Sequence, residues 1–116
     1  MKDNKSVYGK LLVELIKKAN MSQSEFYQKL GIKKPYFYDI VSGKANPPPP
    51  ELQIKVIKIL EPNTQNRNRL LKEASLARNE IPADIYFYLK KNNNIYEDIR
   101  KKYSFELLLE KGDNNE

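Results

Sequence analysis

Between Gly31 and Gly43 the chain gathers side chains able to exchange hydrogen bonds with an anionic surface that also carries base edges. Lys33 and Lys34 stand together, Pro35, Tyr36, Phe37, Tyr38 and Asp39 follow, and Lys44 comes just after the second glycine. A lysine can donate to guanine O6 and N7, an aspartate can accept from cytosine N4, and a proline edge can pack on a thymine methyl. Tyrosine hydroxyls suit backbone oxygens. Upstream, Ser22 and Gln23 open another short segment, and a helix start directs backbone N–H groups at phosphate without reading sequence.

Bond-making chemistry has far less to draw on. The sequence holds neither His nor Cys, so the usual proton shuttle at neutral pH, thiolates and the commonest zinc ligands are all missing. No pair of acids sits in an apolar context that would tune it for hydrolysis. An enzyme is not expected, nor any metal or other cofactor. The absence of Cys fits a cytoplasmic protein. No run reaches the roughly 18–20 apolar residues of a membrane span, and "MKDNKSVYGK" lacks the apolar region of a signal peptide.

The net charge of +6 is unevenly spread. Residues 1–60 carry eleven Lys against five acids, whereas residues 61–116 carry ten basic and ten acidic residues. The whole excess lies in the first half, where a polyanion-facing surface is expected.

Helical elements must position these groups. Tyr8, Leu11, Leu12, Leu15, Ile16 and Ala19 fall at offsets 0, 3, 4, 7, 8 and 11, the stripe of an amphipathic helix ending at Asn20. Lys17 and Lys18 lie on its wet side. Ser22 and Glu25 make a capping box, with Met21 and Phe26 as a hydrophobic staple, and Gly31 stops that helix after about two turns. A third helix starts one or two residues after Ile32 with Pro35 in its first turn, where the missing N–H breaks no hydrogen bond. Projection at about 100° per residue puts Phe37 and Ile40 on its inner face, Tyr36 and Val41 at the margins, and Lys34, Pro35, Tyr38, Asp39 and Ser42 outside. "KANPPPP" reads as a stiff extended spacer. A fourth helix, "ELQIKVIKIL", has a stripe of Leu52, Val56, Ile59 and Leu60 broadened by Ile54 and Ile57. A fifth is capped by Asn63 or Thr64 and turns Leu70, Leu71, Ala74 and Leu76 or Ala77 inward. A sixth begins near Pro82, a seventh is capped by Asn94 with Glu97, and "SFELLLEKGDNNE" suggests one more short helix.

The run "MSQSEFYQKLGIKKPYFYDIVSGKANP" resembles the helix-turn-helix of the lambda-repressor and Cro family, often called XRE-type. Ser22, Gln23, Leu30, Gly31, Ile32, Ile40, Gly43, Lys44 and Pro47 carry the likeness, which extends over residues 7 to about 60. The resemblance implies an all-α, lambda-repressor-like helix-turn-helix domain over residues 1–78. A C-terminal helical extension over 79–116 is then a candidate dimerisation element. It further implies a homodimer on a double-stranded DNA operator with the third helix in the major groove, and no membrane. Carried over by position, base reading falls to Lys33, Lys34, Pro35 and Asp39 with Tyr36 and Tyr38 nearby, and phosphate contact to Ser22, Gln23 and Lys44. The run "EIPADI" (80–85) resembles one in the helical extension of small regulators from Gram-positive phages and mobile elements; it covers six residues and assigns no ligand.

Two positions depart from the family pattern. Tyr27 replaces the usual Ala at the approach of helices two and three, so its ring is expected to spread the pair or escape to the surface. Pro35 stands where polar base readers are common, with three aromatics beside it. The expected function is a sequence-specific transcriptional regulator, a repressor of phage or mobile-element type. The alternative is a protein-interaction module on the same scaffold, antirepressor- or antitoxin-like, suggested by Asp39 and the crowded aromatics.

Overall fold

The apolar stripe of the first helix, α1 (Asn4–Lys18), is spent entirely inward: Tyr8, Leu11, Leu12, Leu15 and Ile16 are all buried. The helix starts ahead of that stripe because Asp3 accepts a hydrogen bond from the Lys5 N–H at 3.1 Å and so caps it. The computed structural model describes residues 3–103 together with 105, 106 and 109. Among the described residues the further helices are α2 (Gln23–Leu30), α3 (Lys34–Ser42), α4 (Pro50–Leu60), α5 (Thr64–Arg78), α6 (Ala83–Lys91) and α7 (Ile95–Lys102). Among the described residues there is no strand, and the fold is all-α. The expected final helix after Tyr103 falls largely outside the described residues.

Local signals explain the boundaries of α2 and α3. The Ser22 hydroxyl accepts from the Glu25 N–H at 3.0 Å, but the Glu25 carboxylate turns to Lys29 (3.6 Å), so half of the capping box forms. At the other end Gly31 takes φ +86°, its N–H donating to the Gln28 carbonyl and that of Ile32 to the Tyr27 carbonyl. This is a Schellman closure, and a left-handed backbone there favours Gly. Gly43 ends α3 likewise at φ +85°.

Two compact units are distinguished, Met1–Asp84 and Ile85–Glu116, dividing within α6. In the first, α1 packs on α3 and α5 while α2 packs on α4. Phe26, Phe37, Leu30, Ile40, Val56, Leu60, Leu70 and Ala74 join the α1 stripe in one core. Burying each large side chain is worth about 1.5–3 kcal/mol, which is why the faces, not the propensities, hold these short helices. The α1–α3 crossing is very close at Gly9, where a Cβ would stand 2.1 Å from the Val41 carbonyl oxygen.

The proline run is more than a spacer. Pro47 and Pro48 are fully buried, and the carbonyls of this N–H-poor segment are satisfied from outside it. Gln53, the buried polar residue of α4, donates to the Pro48 carbonyl at 2.8 Å, and Arg78 donates to that of Pro47 at 3.0 Å. Farther along, Leu76 is exposed while Ala77 is half-buried, so the inner face of α5 continues through the smaller residue. Asn94 is itself helical (φ −62°, ψ −22°) and makes no side-chain cap, contrary to the capping box expected with Glu97.

Candidate nucleic-acid interface

α3 is braced from behind. Phe37 and Ile40 are 0% and 1% exposed, and the Phe37 ring meets Phe26 at 5.9 Å and Tyr27 at 5.4 Å between centroids. Tyr27 does not leave for solvent; it lies half-buried, tilted over Phe37. Tyr38 meets the same ring in a T-shaped contact at 5.3 Å. A side chain so flanked has few rotamers open to it, and α3 is held as a rigid ridge.

On the outer side Lys33, Lys34, Pro35 and Ser42 are exposed, and Tyr38 is 43% exposed. Asp39 is half-buried; its backbone carbonyl accepts from the Ala45 N–H at 2.9 Å and ties α3 to the proline segment. Tyr36 is also half-buried and packs on the core rim, which leaves it less surface to offer than Tyr38. Lys33 is the N-cap of α3 and supplies no side-chain hydrogen bond to it, so the first-turn N–H groups keep their positive end toward solvent. Lys44 is exposed beyond the opposite end of the helix, roughly 13 Å away for nine residues. Ser22 and Gln23 sit at the start of α2, the first exposed with its hydroxyl committed to Glu25, the second half-buried. The structure thus leaves Lys33, Lys34, Pro35 and Tyr38 exposed on α3 and its N-cap, with Lys44 exposed past its far end.

Among the described residues no carboxylate lies within 4.0 Å of Lys33, Lys34 or Lys44, the ion pairs being Glu25–Lys29, Arg78–Glu80 and Glu97–Arg100. Lys55 adds a cation that the sequence did not assign to the site. From α4 its ammonium donates to the Leu30 carbonyl at 3.1 Å, beside the turn between α2 and α3. There it favours the negative end of the α2 dipole and raises the potential at the turn. No local pattern marks it, because its partner lies 25 residues away.

A shallow cavity of about 170 Å³ lies between the end of α1 and the α4–α5 turn, with Lys18 and Glu61 beside Leu15, Leu60 and Pro62; no residue of α2 or α3 lines it. No cluster of three potential metal-ligating side chains occurs among the described residues, and no described helix is long and apolar enough to cross a membrane. Comparison with protein-family models, with curated proteins and with solved structures finds no match for this chain.

Proposed function

We propose that this chain is a sequence-specific double-stranded DNA-binding transcriptional regulator of the lambda-repressor and Cro kind, a repressor of phage or mobile-element type working as a homodimer. The observation that carries the reading is the α3 ridge: Lys33, Lys34, Pro35 and Tyr38 face outward while Phe37 and Ile40 anchor the same helix from within. In this reading α2 and α3 form a helix-turn-helix, and α3 enters the major groove. Lys34 and Lys33 donate to base edges, Asp39 accepts from a cytosine amine at its partly open edge, and Tyr38 contacts backbone or a thymine methyl. Gln23, Lys44 and the start of α2 hold phosphates and set the register. Half-sites stand about 10 bp, or a multiple of it, apart.

The test is selection of bound sites from random duplex DNA, followed by titration at two salt concentrations. Lys44, the charged phosphate contact of this reading, gives two phosphate-neutralising charges per dimer. The slope of log K on log salt is then about −2, roughly a ten-fold loss between 50 and 200 mM. Lys34→Glu should weaken binding to the selected site by ten-fold or more. Equal affinity of that variant, or no selected sequence at all, would remove the groove assignment. The exposed Tyr38 edge also suits a protein partner, and a chain that captures one tightly while shifting no DNA supports the interaction-module reading instead.

A further inference from the structure

α7 makes an apolar pattern that the described residues leave largely exposed. An eight-residue helix is too short to persist in water unless it buries a face, yet none of its residues is buried. Projected at about 100° per residue, Ile95, Ile99, Tyr103 and Tyr96 fall within an arc of roughly 100°. Tyr96, Ile99 and Tyr103 are 38%, 41% and 57% exposed. The second unit, residues 85–116, is below the size of about 40 residues at which a chain usually sustains a core alone.

Charges on the two edges of that arc specify what covers it. One edge carries Asp98 and then Lys102; the other carries Arg100, which Glu97 holds at 2.7 Å from farther round the helix. The first edge is acidic toward the N-terminus and basic toward the C-terminus. Across an antiparallel two-fold, that edge faces its own copy reversed, so Asp98 meets Lys102. A parallel pair instead sets Lys102 beside Arg100 of the second copy. Two acids against three bases also argue against an anionic membrane surface, which selects helices with a predominantly basic polar face.

We infer that α7 is the self-association element of this protein, pairing antiparallel with α7 of a second copy, with the two-fold axis passing beside Ile99. Ile95 then packs toward Tyr103 of the second copy, and Ile99 toward its equivalent. The inference rests on the regulator reading for its role, since that reading calls for two copies, but it is tested without DNA, so either can fail alone.

The experiment is sedimentation of the full chain over a concentration series, with the parent protein expected to be dimeric. Ile99→Lys should raise the dissociation constant at least ten-fold while leaving the thermal melt of the first unit unchanged. Asp98→Lys and Lys102→Asp should each weaken the dimer alone, and mixing the two variants in equal amounts should restore it, because every edge contact then pairs opposite charges. A merely unfolded α7 does not recover on mixing. A monomeric parent, a parent that binds vesicles of anionic phospholipid rather than itself, single variants as dimeric as the parent, or a mixture that stays monomeric overturns the inference.

Discussion

Gly9→Ala is the sharpest perturbation of the arrangement that presents α3. A Cβ at that position would lie 2.1 Å from the Val41 carbonyl oxygen, 2.7 Å from the Val41 carbonyl carbon and 2.9 Å from the Ile40 carbonyl oxygen. Real Cβ atoms keep at least 3.0 Å, so the first contact is about 0.9 Å short. All three obstructing atoms belong to the α3 backbone and cannot rotate away. α1 and α3 must move apart, which loosens Tyr8, Phe37 and Ile40 together. Overpacking of this kind costs about 1–3 kcal/mol. The gain in helix propensity from Gly to Ala offsets at most about 1 kcal/mol of it. With three backbone clashes the upper part of the range applies, leaving a net loss of about 2 kcal/mol. For a unit of this size that lowers Tm by roughly 8–16 °C. Thermal unfolding followed by circular dichroism measures it directly. A variant as stable as the parent, or stabilised by the full propensity gain, would show that the helices do not approach as described, and the bracing argument for α3 would fall with it.

Other perturbations probe separate parts of the same frame. Gln53→Leu keeps the volume but leaves the buried Pro48 carbonyl without its donor, and urea denaturation should register a loss of about 1–3 kcal/mol. Burial, and secondarily the neighbouring Tyr36, pushes the Tyr8 phenol well above its ordinary value of 10.0. The folded chain therefore keeps a proton that the unfolded chain releases, so this stability is complete below pH 10 and declines as pH rises beyond it. Tyr8→Phe should flatten that alkaline decline in a series of melts above pH 10, and an unchanged slope would assign it to other groups. Lys34→Glu, with its salt titration, addresses the DNA reading, and the α7 charge exchange addresses assembly.

How much of this was legible beforehand depends on the range of the physical signal. Ser22 announces the start of α2, and Gly31 and Gly43 announce the ends of α2 and α3, because caps and left-handed closures are settled within three or four residues. The periodicity that turns Phe37 and Ile40 inward and Lys34 outward is equally local. Those signals alone determine an all-α chain with a short helix framed by two glycines and a basic outer edge. Gly9 gave no such warning, since its role is set by the Val41 carbonyl across a helix crossing. Gln53 and Arg78 hold the proline segment from five and thirty-one residues away, and Lys55 reaches Leu30 from twenty-five. The resting place of Tyr27 on Phe37 likewise needed the neighbouring helix to be present. Periodicity can say which face of a helix is apolar, but only the assembled core decides which backbone carbonyls need a donor, which residue must be small, and how near two helices may come.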